Sequence, residues 1–227
     1  YEVFKDIIDG YDGWTFCQVQ YNYMDMDYQA GIRGLKYAAS KGLAIVIMEP
    51  IAGGMLAVKP PPEIQAIWDE AGTKRTPAEW ALQWVWNHPE VSVALSGMST
   101  MEQVVENIKS ADRSGSNTLT KKELELVSRV RERYLEYGFI GCTGCKYCVP
   151  CPQGVEIPEI FSLYNQYYIQ SKKGRGNEVI EKYGEKVPLE SGAKRCAKCG
   201  ECEEKCPQQL PVRELIAQAA RLFERNR

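Results

Sequence analysis

Four closely spaced cysteines and a proline occupy the stretch that most constrains the fold, Cys196-Ala197-Lys198-Cys199-Gly200-Glu201-Cys202-Glu203-Glu204-Lys205-Cys206-Pro207. The gaps of two, two and three residues allow one tight loop to point several sulfur atoms at a common centre. The proline stops the chain from folding back after the fourth cysteine. Because thiolates are strong ligands for soft metals, the run indicates a metal centre.

A second run of the same kind lies upstream, Cys142-Thr143-Gly144-Cys145-Lys146-Tyr147-Cys148-Val149-Pro150-Cys151-Pro152. It has two residues, instead of three, before its last cysteine. A secreted disulfide framework would spread its cysteines and follow a secretion signal, and neither feature is present here. The spacing therefore favours reduced thiolates that hold metal, and we expect a cytoplasmic location.

The downstream run resembles the C-x₂-C-x₂-C-x₃-C-P pattern of bacterial ferredoxins, so we expect two [4Fe–4S] clusters. Zinc is the alternative, but zinc sites usually pair two distant Cys-x₂-Cys knuckles and need no Cys-Pro after a fourth cysteine. In two-cluster ferredoxins the fourth cysteine of each run binds the other cluster. The resemblance thus implies two crossed ligand sets: Cys142, Cys145, Cys148 and Cys206 in one, and Cys196, Cys199, Cys202 and Cys151 in the other.

Composition excludes several classes of protein. The 227 residues include 28 basic and 30 acidic side chains, and the net charge of −2 argues against a nucleic-acid binder. No apolar run approaches the roughly 18–20 residues of a membrane helix, so we expect no membrane insertion. The chain begins Tyr1-Glu2-Val3 without a signal peptide or an initiator methionine, which predicts a processed chain or a piece of a longer protein.

The chain divides into two predicted domains, residues 1–138 and residues 139–227. The first alternates helices with three strands, at 14–21, 44–48 and 91–95, which predicts an α/β domain with parallel strands. The run at 44–48 is apolar on both faces, as in a sheet covered by helices on both sides. Threonine caps predict the starts of three helices, at Thr76, Thr100 and Thr120. The second domain has no convincing strand, and its 44 residues between Cys151 and Cys196 are similar to the α-helical ferredoxin module of larger redox enzymes.

Four motifs of the first domain, in this order, resemble the second half of an aldo/keto reductase: Cys17-Gln18-Val19-Gln20-Tyr21-Asn22, Met48-Glu49-Pro50-Ile51-Ala52-Gly53-Gly54, Pro77-Ala78-Glu79-Trp80-Ala81-Leu82-Gln83-Trp84, and Ser96-Gly97-Met98-Ser99-Thr100-Met101-Glu102-Gln103-Val104-Val105-Glu106-Asn107. Those enzymes are TIM barrels that use NADPH. The subgroup with a C-terminal four-iron ferredoxin tail matches best. The resemblance covers essentially the whole chain, yet it implies only about the last three of the eight barrel strands and a ferredoxin-like all-α domain behind them.

The resemblance also implies a nucleotide site, for NADP(H) or NAD(H). Gln18 would bind the nicotinamide amide, and Met48 stands where many members stack an aromatic ring, although core packing is an equal alternative. The loop before residue 101 is where phosphates sit, because a helix N-terminus offers free N–H groups, although simple capping is the alternative. Gln103 replaces an arginine that NADPH-selective members often carry. The remaining implied contacts are Gly97, Ser99, Thr100, Glu106 and Asn107.

No catalytic residue is carried over from the family, whose Asp, Tyr, Lys and His come from strands one to four. His88 is expected to be a loop histidine. Tyr21 could donate a proton, but no lysine or carboxylate is placed near it by the sequence. Cys17 is expected to be a buried structural thiol, and Glu49 a strand-end carboxylate.

These features favour an iron–sulfur oxidoreductase that passes electrons between a nicotinamide nucleotide or carbonyl substrate and the clusters. The alternatives are an electron-transfer module without catalysis of its own and clusters with a purely structural role. We expect a ferredoxin- or flavodoxin-like redox partner. A missing N-terminal half-barrel or a partner chain is expected to cover the open sheet.

Overall fold

A computed structural model of the chain describes residues 1–172 and 174–225. It divides into two compact units, Tyr1–Arg133 and Tyr134–Arg227, which are described separately below. Across the described residues, no helix is both long enough and apolar enough to cross a lipid bilayer.

The first unit contains a three-stranded parallel sheet. Its strands are β1 (Phe16–Gln20), β2 (Ala44–Met48) and β3 (Val93–Ala94), in the spatial order β1-β2-β3. The bounds of β2 agree with the sequence prediction, whereas β1 and β3 are shorter than predicted. Both shortened strands lie at the sheet edges, where only one neighbour supplies ladder hydrogen bonds.

The sheet is covered on one face. Ile45 and Ile47 are fully buried, and Val19 of β1 lies on the same face. On the other face Phe16 keeps 55% of its surface exposed and Val93 keeps 45%. The prediction that β2 is covered on both sides was therefore wrong, because a sheet face is buried only where another layer packs on it.

Three helices of the first unit begin at the predicted threonine caps. The Thr76 hydroxyl oxygen accepts the Glu79 N–H at 3.1 Å, and Thr120 accepts the Glu123 N–H at 3.2 Å. Thr100 does the same for the helix after β3. The bounds are α1 (Glu2–Asp9), α2 (Gly31–Ser40), a 3₁₀ segment (Ala52–Ala57), α3 (Pro62–Asp69), α4 (Pro77–Trp86), α5 (Met101–Ala111) and α6 (Lys121–Glu136).

The second unit is built from helices that surround the cysteine runs. They are α7 (Ile157–Ser171), α8 (Gly176–Lys186), α9 (Glu201–Glu204) and α10 (Val212–Phe223), with short 3₁₀ segments at Leu189–Ser191 and Ala193–Arg195. Their core includes the fully buried Tyr183, whose ring stacks on Phe223 with the centroids 4.4 Å apart. Six of the eight clustered cysteines are half-buried, and five of them pack against this core.

Candidate metal centre

Two cavities in the second unit are lined by cysteines. The first has an empty volume of about 440 Å³ and the second about 350 Å³, counting the space that opens to solvent. Cys148 lines both of them. The other cysteines of the first cavity are Cys151, Cys196, Cys199 and Cys202. The other cysteines of the second cavity are Cys142, Cys145 and Cys206.

Apart from Cys148, which also touches the first cavity, each cavity takes three cysteines from one run and the fourth cysteine of the other run. The reason is that the two Cys-Pro pairs precede helices that lie side by side, α7 after Cys151 and α10 after Cys206. Ile157, the first residue of α7, and Val212, the first residue of α10, line both cavities. Both side chains are buried, so together they form an apolar wall shared by the two sites.

The two cysteine loops share a backbone conformation although different residues stand at the corresponding positions. Gly144 and Lys146, two and four residues after Cys142, have positive φ values of 69° and 65°. Lys198 and Gly200 stand two and four residues after Cys196, with φ values of 57° and 90°. Glycine and lysine exchange places between the loops, yet the left-handed turns recur at the same positions, so both loops wind around their cavities in the same way.

Burial raises the pKa of three thiols in the two runs. It raises the pKa of Cys142, and the neighbouring thiols of Cys145 and Cys206 raise it further. Burial and the neighbouring Cys142 raise the pKa of Cys148 to about 11. Burial, with Cys196 next to it, also raises the pKa of Cys202. In the metal-free chain these groups are therefore protonated thiols at neutral pH, and binding of a metal would release their protons.

The cysteine ligands offered by the two cavities are chemically suited to iron–sulfur clusters. Each cavity offers four cysteine sulfurs, and thiolates are the ligands that hold [4Fe–4S] clusters. Cationic side chains also reach the cavities, with Lys198, Lys205 and Arg213 lining the first and Lys146 the second. Lys205 and Arg213 are paired with Glu201 and Glu203, so they bring little net positive charge to the first cavity. Within residues 1–172 and 174–225, no three His, Cys, Asp or Glu side chains converge on a single-ion position.

The sheet brings together two of the predicted nucleotide contacts. Gln18 pairs with Val46, and Gln20 with Met48, so Gln18 and Met48 point to the same, open face of the sheet. Gln18 is exposed and Met48 is half-buried there. Their contact with a nucleotide stays a prediction.

Hydrogen bonds to a side chain of α5 already occupy the backbone N–H groups of Ser99 and Thr100 in the predicted phosphate loop. Thr100 caps α5, and the Gln103 side chain turns back to accept the Ser99 N–H at 2.8 Å and the Thr100 N–H at 3.3 Å. Asn107 donates to the Ser96 hydroxyl at 3.0 Å and so ties α5 to the loop that contains the exposed Gly97. Capping, which the sequence left open as an alternative, is the arrangement in the structure.

Glu106 lies farther along α5. It accepts a hydrogen bond from the Thr76 hydroxyl at the start of α4. This contact joins two helices of the first unit, and the predicted role of Glu106 in binding adenine stays a prediction.

A hydrogen-bonded pair of the buried Tyr21 and the half-buried His88 was not anticipated. The Nδ1 of His88 lies 3.0 Å from the Trp84 carbonyl oxygen, which can only accept, so Nδ1 carries the proton. The Tyr21 hydroxyl therefore donates to Nε2 at 3.2 Å. Burial raises the pKa of Tyr21 and lowers the pKa of His88. Lys36 and Glu90 line the same open cavity of about 780 Å³, so charged groups do stand near Tyr21.

The other singled-out side chains behave as ordinary parts of the fold. Cys17 is half-buried in β1, and burial raises the pKa of its thiol. Glu49 follows β2, and burial raises the pKa of its carboxyl group. His88 lies two residues after the end of α4, outside any helix or strand, as predicted for a loop histidine.

Comparisons with known proteins agree with this division. A model of the aldo/keto reductase family matches residues 5–132, more than half of the chain, and a model of a 4Fe-4S dicluster domain matches residues 141–211. Among solved structures, an aldo-keto reductase from Bacillus halodurans is similar in its holo and apo forms, each with 21% identity over 56% of this chain and a TM-score of 0.44. The chain spans 46% and 47% of those two chains, less than half of their length. No curated protein matches the chain.

Proposed function

This chain belongs to the aldo/keto reductase family, and we propose that it carries the iron–sulfur centres of an oxidoreductase of that family. The match to a 4Fe-4S dicluster domain supports iron–sulfur clusters in residues 141–211. Together the two matches place a reductase-type fold and a two-cluster domain in one polypeptide.

The pair of cysteine-lined cavities carries the proposal. The first cavity holds Cys151 with the three leading cysteines of the downstream run, and the second holds Cys206 with those of the upstream run. This is the crossed arrangement of two-cluster ferredoxins. When bound, each [4Fe–4S] cluster supplies one-electron transfer between a two-electron nicotinamide or carbonyl site and a one-electron partner.

The residues around the cavities set how far water and a redox partner can approach the clusters. Ile157 and Val212 exclude water from the inner sides of both cavities, and solvent exposure is one determinant of cluster potential. Cys145 and Cys199 are exposed, so each cavity has one ligand at the surface. A ferredoxin- or flavodoxin-like redox partner would approach at these exposed ligands. Eight thiols in close pairs favour a reducing compartment, which supports a cytoplasmic location.

The nucleotide would lie on the other unit. The open face of the sheet presents Gln18 and Met48, and this supports a site for NADP(H) or NAD(H) there. The same face is the surface that a further part of the barrel, or a partner chain, would cover. Since Gln103 is uncharged, such a site would discriminate weakly between the two nucleotides.

One observation favours the second candidate, an electron-transfer module that binds no nucleotide. The Ser99 and Thr100 N–H groups, which a phosphate would need, are already bonded to Gln103 Oε1. A nucleotide phosphate would have to displace this side chain.

The first experiment is to purify the chain without air and to measure iron, acid-labile sulfide and zinc. We expect about eight irons and about eight sulfides per chain, because two four-iron clusters are present. Zinc in stoichiometric amount with no sulfide would overturn the proposal. Reduction of the loaded protein by NADPH or NADH, compared with reduction by a flavodoxin, then separates the two candidate functions.

A further inference from the structure

A buried glutamate holds the start of the downstream cysteine loop. Glu224 directly follows α10 and is only 3% exposed. Its Oε1 accepts the Ala193 N–H at 2.7 Å, and its Oε2 accepts the Lys194 N–H at 2.9 Å. The Tyr183 hydroxyl donates to the same carboxylate. Both backbone donors lie two or three residues before Cys196, so the carboxylate fixes the direction in which the chain enters the loop.

An asparagine does the same for the upstream loop. Asn165, on α7, donates from Nδ2 to the Ile140 carbonyl oxygen at 2.9 Å. Its Oδ1 accepts the Ile140 N–H, also at 2.9 Å. Ile140 is buried and lies two residues before Cys142. Because both backbone polar groups of Ile140 are bound by one side chain, the start of this loop can neither rotate nor slide without breaking both bonds.

We propose that Asn165 and Glu224 are positioning residues, each of which holds one cysteine loop in the conformation that keeps one iron–sulfur cluster. The inference rests on the proposed function, since it presumes that the cavities take clusters. Asn165 secures the set Cys142, Cys145, Cys148 and Cys206. Glu224 secures the set Cys151, Cys196, Cys199 and Cys202.

The geometry makes the two effects separable. The backbone hydrogen bonds of Asn165 go to the residue that leads into the upstream loop, and those of Glu224 go to two residues that lead into the downstream loop. Glu224 differs in one further respect, since a buried carboxylate near a cluster opposes addition of an electron. Loss of its charge should therefore move the reduction potential of that cluster to a more positive value, whereas Asn165 has no charge to lose.

The test compares the full chain, loaded with clusters under anaerobic conditions, with the variants Glu224→Gln and Asn165→Ala. Glutamine has one acceptor oxygen where glutamate has two, so at least one backbone N–H loses its partner with little change in volume. The controls are Glu214→Gln, on the exposed face of α10, and Ser162→Ala, on the exposed face of α7. Each protein is exposed to an iron chelator together with an alkylating reagent, and the labelled cysteines are identified by mass spectrometry.

We expect Glu224→Gln to speed labelling of its own set about tenfold, which corresponds to about 1.4 kcal/mol, while the other set keeps the wild-type rate. The labelled set should include Cys151, which lies in the other run. Asn165→Ala should show the reverse selectivity and leave both potentials unchanged. Glu224→Gln should raise one potential only.

Equal acceleration of both sets by either variant would overturn the inference, and so would wild-type labelling rates in both variants. If a variant loses all iron and its circular dichroism signal, Glu224→Asp and Asn165→Gln replace it, because each keeps the same polar groups at a shifted position and should accelerate release of one set by less. A wild-type chain that binds no iron or sulfide would instead refute the proposed function.

Discussion

Replacing the last cysteine of the upstream run should empty the site of the downstream run. Cys151 lines the cavity of Cys196, Cys199 and Cys202 and does not line the cavity of Cys206. Cys151→Ala therefore removes a ligand from a cluster whose other three ligands come at least 45 residues later in the sequence, since 196 − 151 = 45.

The structure sets the size of the effect. With two crossed sets of four ligands each, loss of one cluster should lower the iron content from about eight to about four per chain. Three cysteines of the damaged set should then become reactive towards an alkylating reagent, and the four of the other set should stay protected. Cys17→Ala is the matched control, because Cys17 lies in β1 and outside both cavities, and it should keep all the iron.

Iron analysis and mapping of alkylated peptides on the same anaerobic sample measure both quantities. If Cys142 and Cys145 become reactive in Cys151→Ala while Cys196 and Cys199 stay protected, each run holds its own cluster. That result would refute the crossed arrangement, however well the cavities are formed.

Three further predictions concern Glu123, Gln103 and the activity of the whole chain. Burial favours the neutral form of Glu123, but hydrogen bonds from Arg75 and Thr120 outweigh it and lower the pKa of this carboxyl group. Glu123→Gln should therefore cost about 1–2 kcal/mol of unfolding free energy at pH 7. The stability difference should persist above the unfolded pKa of ~4.3 and vanish as the pH falls through the lower folded value, and a difference that stays constant in acid would contradict the assignment. If the nucleotide site is complete, Gln103→Arg should favour NADPH over NADH by roughly 1.5–3 kcal/mol, as measured by titration with both nucleotides, and equal changes for both would place Gln103 elsewhere. Residues 1–227 alone should bind iron but reduce no aldehyde with NADPH or NADH, because the proton donor of the family comes from strands one to four. A proton donor typically contributes a factor of about 10²–10⁴ in rate. Robust turnover would show that the catalytic residues have been misplaced.

Local features of the fold could be predicted because their causes are local. Each of the caps at Thr76, Thr100 and Thr120 joins a side chain to a backbone group three residues away, so the sequence contains the whole interaction. The strand β2 is likewise encoded in five consecutive apolar residues. The covered face of the sheet could not be predicted in this way, since burial depends on which layer packs there.

The candidate site shows the same limit. The spacing of the cysteines indicated metal binding and, through the ferredoxin pattern, the crossed sets. It gave no sign of the Tyr21–His88 bond, which joins residues 67 positions apart. Neither residue type nor local pattern marks such a contact.

Spacing along the chain was enough to predict the candidate cysteine ligands, three helix starts and the order of strands and helices, because it limits what a short segment can do. The tertiary structure alone decided that one open sheet face presents Gln18 and Met48, and that Glu224 and Asn165 hold the two cysteine loops. These pairs meet only after distant helices and strands have packed, and packing depends on the shape and burial of the whole unit.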